Sequence, residues 1–148
     1  MEIWKDIPNY EGLYQISNYG NIKNIKRNRI KKLTINKDGY YITKLSKNNK
    51  KKIYLIHRLV ADTFLIKNNY KSHKNENNIN INELVVNHKH ENKLNNHVEN
   101  LEWCTTKYNV LYSSNLQKGK TKKELINYLI KNNIDKKMID DILNIIFL

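Results

Sequence analysis

Between Val85 and Asn109 the chain reads VVNHKHENKLNNHVENLEWCTTKYN, a stretch holding His88, His90, His97 and the sole cysteine, Cys104. Imidazoles and a thiol this close together admit three readings: a metal site, a general base, or polar filler in an asparagine-rich chain. A closed zinc site takes four Cys or His ligands at spacings such as C-x2-C or H-x3–5-H. One cysteine and scattered histidines do not supply that set. A histidine base is chemically available, because an ordinary imidazole titrates at about 6.5 and is mostly neutral at pH 7.

Charge suggests what such a base would act on. The 148 residues carry 27 Lys and Arg against 14 Asp and Glu, a net +13. The excess is local. From Lys23 to Arg58 thirteen cations accompany one acid, Asp38, whereas from Thr121 onward five lysines face four acids. A one-signed segment of this kind implies a polyanionic partner for the N-terminal half. Codon bias toward A and T would inflate Lys and Asn everywhere, but does not account for a nearly neutral C-terminal segment. Charge alone does not separate DNA from RNA. The lone cysteine fits a reducing, intracellular compartment, cytoplasmic or nuclear. No apolar run approaches the ~20 residues that span a bilayer, and no signal-peptide core heads the chain, so no membrane partner is expected.

Periodicity indicates the elements that must hold these residues. Residues 2–56 read as short strands: IWKDI, LYQIS, NIKNI, a strand over 30–35, GYYITKLS and KKIYLI. Turns are expected at Asn18-Tyr19-Gly20, Lys37-Asp38-Gly39 and within Lys47–Lys52, the last forming a basic hairpin tip. His57–Ile66 switches to helical spacing through Leu59, Val60, Thr63 and Phe64. Lys67–Leu84 reads as a polar surface insertion. Leu84–His88 and Leu101–Cys104 are strands, and Thr105 caps a helix carrying Tyr108, Leu111 and Tyr112. In the tail, Thr121 and Glu124 match a capping box, Asn132-Asn133 a helix stop and Asp135 a second cap, giving a helical hairpin with one apolar face. That face either docks on the core or makes a homodimer.

HRLVADTFLI (57–66), VVNH and NLEWCTTKYN together resemble the HNH homing-type endonucleases, and WKDIPNYEGLYQISNYGNIKN resembles the short modular motif that precedes such nucleases. The joint resemblance covers residues 2–112 and implies a basic β-rich region (1–56) and a ββα-metal nuclease core (57–115); with the helical hairpin read from spacing (121–148), which lies outside the resemblance, the expected fold is α+β, a small antiparallel β-hairpin region followed by the nuclease core and the hairpin. It also implies a viral or mobile-element DNA endonuclease using Mg2+ or Mn2+. His88 then matches the general base, Asn100 the residue that orients it, and Asn87 and Asn109 the metal ligands. A catalytically degenerate DNA-binding protein is the alternative.

The sequence departs from the family pattern in three places. Asn87 is neutral, so the matched ligand pair has no carboxylate, although Mg2+ usually takes one or two; weak metal binding without DNA is expected. Where relatives have Asp-Gly-Asn, this chain has His90-Glu91-Asn92, leaving His90 either an auxiliary ligand or a solvated loop residue. The 67–84 segment is longer than the usual linker and lacks its prolines. Glu99 and Glu102 either lend charge to the site or are surface residues.

Phosphate contacts are expected from Arg27, Arg29, Lys31, Lys32, Lys50, Lys51, Lys52 and, above all, Arg58. Tyr14, Tyr19, Tyr40 and Tyr41 either stack on nucleic acid or pack within the fold. Trp4, Trp103 and Cys104 are expected in the core and His57 in a structural role.

Overall fold

A computed structural model describes residues 1–73, 76–112 and 120–147; positions 113–115 of the nuclease segment and 148 of the tail lie outside them. The N-terminal strands form two antiparallel sheets. β1 (Trp4–Asp6), β2 (Tyr14–Ser17), β3 (Ile22–Asn24) and β4 (Arg29–Ile30) pair in that order. β5 (Thr34–Ile35), β6 (Tyr41–Lys47) and β7 (Lys50–Leu55) make the second. The strand expected over 30–35 is therefore divided. Ile30 pairs with Lys23 and Thr34 with Ile42, so the chain crosses between sheets at 31–33 and packs Leu33 against the core.

The β6–β7 hairpin closes through Asn48 (φ 50°) and Asn49 (φ 60°). Two successive positive φ values are what the tight type I′ turn needs, and Asn tolerates them better than most residues. Period-two alternation then turns Thr43 and Leu45 inward and leaves Lys44 outward, with Ser46 opposite Lys51 on that outer face.

α1 (Ile56–Phe64) follows β7 directly and ends two residues earlier than its sequence pattern suggests. Ile56, Leu59 and Val60 pack with Ile7, Ile16, Ile22 and Leu45 of the N-terminal sheets and with Leu101 and Trp103. One core thus runs across the motif boundary at 56/57. Each fully buried Ile in it contributes about 1.5–3 kcal/mol. Trp103 is buried as expected; Trp4 is not, because β1 lies at a sheet edge and leaves its indole half-buried.

The 67–84 segment is more than a surface insertion. The Lys71 amide donates to the Trp103 carbonyl (2.8 Å), and the Lys71 carbonyl accepts from the Thr105 amide (3.0 Å). It thereby covers one edge of β9 (Leu101–Cys104), whose other edge pairs with β8 (Val85–His88). Tyr70 and Ile79 from the same segment pack against the core.

β8, β9 and α2 (Thr106–Tyr112) form the expected strand–strand–helix unit, with Thr105 Oγ1 accepting from the Tyr108 amide at 3.1 Å. In the tail, α3 (Lys122–Lys131) starts at the Thr121–Glu124 capping box, and Asn133 (φ 57°) ends it. The Asp135 carboxylate caps α4 (Lys136–Phe147) at the Met138 amide. Leu125, Leu129, Ile139, Ile142 and Leu143 close on each other and on Val110 and Leu111 of α2. The Lys107–Asp141 ion pair (3.7 Å) also joins α2 to α4. Most of the apolar face that sequence alone left to either a core or a dimer thus packs within the chain, while Ile130 and Ile146 stay exposed.

Candidate active site

His88 is the last residue of β8, and only 6% of it is exposed. His57 from α1 meets its ring edge-on at 5.0 Å, and Tyr40 lies tilted at 6.0 Å. Its Nε2 is 3.0 Å from Oδ1 of Asn96 in the β8–β9 loop. A carboxamide oxygen only accepts, so Nε2 carries the hydrogen and the neutral ring keeps its lone pair on Nδ1. Burial pulls the His88 pKa below its ordinary value; the Asn96 bond opposes this, and Lys93 adds to the lowering.

His57 is held neutral much more strongly. Burial first, then the neighbouring His88 and Arg58, bring its pKa down to about 3. Its Nδ1 is buried and has no hydrogen-bond partner among the described residues. It packs behind His88, as the structural reading expects.

Asn100 does not touch the His88 ring in the way its matched role suggests. Its Oδ1 accepts from the His90 amide (2.9 Å), and its Nδ2 donates to the Asn95 carbonyl (2.8 Å). Both of these bonds go to the loop backbone, so Asn100 shapes the loop and Asn96 meets the ring. Asn96 is itself packed beneath the N-terminal turn. Gly20 there has φ 88°, and a Cβ added to it would come within 3.0 Å of the Asn96 Cβ. The Val98 amide also donates to the Asn18 carbonyl at 2.8 Å. No spacing distinguishes Asn96 from Asn92 or Asn95 in the same loop, which is why sequence reasoning missed it.

Asn87, His88 and Asn109 line one cleft of about 460 Å³, together with Glu91, Lys93 and Tyr40. α3 and the turn after it close one side through Tyr128, Leu129, Asn132 and Ile134. Asn87 Nδ2 donates to Oε1 of Glu102 (2.9 Å), its cross-strand partner. His90 is exposed outside the lining, and Glu99 is a surface carboxylate 3.7 Å from His97. The donor set suits a hard cation, since carboxamide oxygens at 87 and 109 are the oxygen-type ligands that Mg2+ and Mn2+ prefer. Among the described residues no group of three His, Cys, Asp or Glu could hold a metal. Two neutral carboxamides would hold such an ion weakly and leave its remaining positions to water and phosphate.

A second cleft, of about 480 Å³, lies between the two N-terminal sheets and gathers Lys26, Arg27, Lys31, Lys44 and Lys51. Strand alternation sorts the basic run: Lys51 faces this groove beside Ser46 and Lys44, while Lys52 turns away and lies over the Tyr54 ring at 5.2 Å. Arg27, Lys31 and Lys51 are thus brought together. Arg29, Lys32, Lys50, Lys52 and Arg58 are exposed or turned elsewhere and do not line the groove. Tyr14 packs inside the fold, Tyr41 packs against the core, and Tyr19 sits half-exposed on the His97 ring.

Residues 2–46 match the model of the NUMOD4 motif. The chain is 39% identical to the solved structure of the HNH homing endonuclease I-HmuI, described there for its DNA binding and cleavage. The two superpose with a TM-score of 0.64 over 88% of this chain and 68% of that one. This chain belongs to the HNH homing endonucleases.

Curated sequences agree. This HNH chain is 44% identical over 107 residues to DNA endonuclease I-HmuI of Bacillus phage SP01, a match covering 72% of the chain and 55% of that relative. It is 41% identical over 131 residues to an HNH endonuclease of Acanthamoeba polyphaga mimivirus, covering 88% of the chain and 36% of the relative. The HNH chain thus spans between about a third and about half of these curated relatives. The NUMOD4 stretch supplies Arg27 and Lys31 to the basic groove and Gly20 to the floor under Asn96. No described helix is long and apolar enough to cross a membrane.

Proposed function

We propose that this chain is a DNA endonuclease that hydrolyses phosphodiester bonds with His88 as general base and a divalent cation, Mg2+ or Mn2+, held by Asn87 and Asn109. The observation that carries this reading is the shared cleft: a neutral imidazole tethered through Nε2 opens beside two carboxamides on adjoining elements. Phosphodiester hydrolysis needs a water that loses its proton in line with phosphorus. His88 accepts that proton at Nδ1, and Asn96 keeps the ring from turning while it does. A base placed this way contributes about 10²–10⁴-fold. When bound, the cation would supply charge stabilisation to the leaving 3′ oxygen and the non-bridging oxygens. The basic groove fixes the duplex by its phosphates, as a polyanion partner requires.

One site hydrolyses one strand at a time, so a double-strand break takes two chains or two events. The hairpin's burial on α2 weighs against a dimer made through the same apolar face. The test is a supercoiled plasmid library with randomised inserts, incubated with the protein in Mg2+, Mn2+ or chelator, with nick ends sequenced. Nicks at recurrent sites that need metal are expected. DNA binding with no nicks in either metal would select the alternative, a degenerate HNH-fold DNA-binding protein. The specific observation favouring that alternative is the neutral side chain at position 87.

A further inference from the structure

We propose that Glu102 is a positioning residue: it turns the Asn87 carboxamide so that Oδ1 faces the cleft, and it supplies a negative charge behind that neutral ligand. This rests on the metal-site reading above and deepens it. Asn87 and Glu102 are direct partners in the β8–β9 register, so their side chains leave the sheet on the same face. The contact is Asn87 Nδ2 to Glu102 Oε1 at 2.9 Å, and Asn87 is only 7% exposed.

Chemistry fixes the orientation. An ionised carboxylate accepts hydrogen bonds and donates none, so it takes the NH2 end of the carboxamide. The carbonyl oxygen then lies on the other side of the amide carbon, and Asn87 is part of the cleft lining. With Glu102 ionised, the reversed amide would set an oxygen against an oxyanion. The same bond draws electron density toward Oδ1, because a charged acceptor polarises the amide it binds. A neutral ligand with a carboxylate behind it gives the cation position the charge that a ligating Asp would give directly.

The experiment follows Mn2+-induced broadening of the backbone amide signals of Asn87, His88 and Asn109 in the DNA-free protein, a readout that detects weak binding. Partners of metal ligands are worth about 10–100-fold in affinity. Glu102→Ala should need about 10-fold more Mn2+ for equal broadening, and Glu102→Gln, which keeps an acceptor and loses the charge, about 3-fold more. Nicking by both variants should recover toward the wild-type rate at high Mn2+, which a purely structural lesion would not allow. Wild-type titration curves in both folded variants would overturn the proposal. Absence of broadening at these residues in the wild type would remove the metal site and this inference with it. Shifted titrations in a protein that never nicks would leave Glu102's role standing and sink the nuclease reading alone.

Discussion

Oδ1 of Asn96 stands 3.0 Å from Nε2 of His88, in the loop that the Asn100 side chain braces at His90 and Asn95. The pair sets the tautomer and heading of the imidazole. Replacing Asn96 with Ala should lower single-turnover nicking by about 10–100-fold, part of the ~10²–10⁴ that a base contributes. DNA affinity should hold, because Asn96 does not line the basic groove. Unchanged nicking by a folded Asn96→Ala variant would remove it from the site.

The pH profile follows from burial of the same ring. His88 is depressed below 6.5, first by burial and further by Lys93, against the opposing Asn96 bond. A base works in its deprotonated form, so the acid limb of the rate should fall below pH 6.5, and a cation nearby would push it the same way. Lys93→Gln removes a positive neighbour and should move the limb to higher pH. Single-turnover rates from pH 5 to 8 check this; a limb above pH 7 in the wild type would contradict it.

Acid should unfold the protein partly through His57. In the folded chain this ring titrates at about 3, against 6.5 when free. Between those values the unfolded chain binds the extra proton, so stability falls as pH falls, by up to about 1.4 kcal/mol per pH unit from this group. Chemical denaturation of wild type and His57→Leu at pH 7, 6, 5 and 4 measures it. The variant should lose less stability per unit; parallel curves would contradict the assignment.

Salt tests the groove. Five cations line it, so log affinity against log salt should have a slope of about −4 to −5. Lys31→Gln and Lys51→Gln should each make the slope shallower by about 1, whereas Lys52→Gln, turned onto Tyr54, should change it less. Equal effects at positions 51 and 52 would mean that the groove is not where phosphates sit.

Much of this architecture was legible in the chain. Strong local signals carried through: the Asn48-Asn49 turn, the Thr105 and Asp135 caps and the Thr121–Glu124 box lie where their chemistry demands. The grouping of His88 with Asn87 and Asn109 came from the family resemblance, and the strand–strand–helix order puts all three along one cleft. What sequence could not show is tertiary. The split of 30–35 between sheets depends on partners far away, and the edge position of Trp4 overrides the usual burial of indole. Pairing of Lys71 with β9 depends on tertiary hydrogen bonds that a polar composition hides. Asn96 makes the ring contact expected of Asn100 because loop geometry, not residue type, decides which carboxamide reaches the ring.

The most direct measurement is single-turnover nicking by His88→Ala against wild type in saturating Mn2+, with DNA affinity measured alongside. A fall of about 10²–10⁴-fold with affinity within about 2-fold of wild type is expected. Equal rates in the two proteins would contradict a base at position 88.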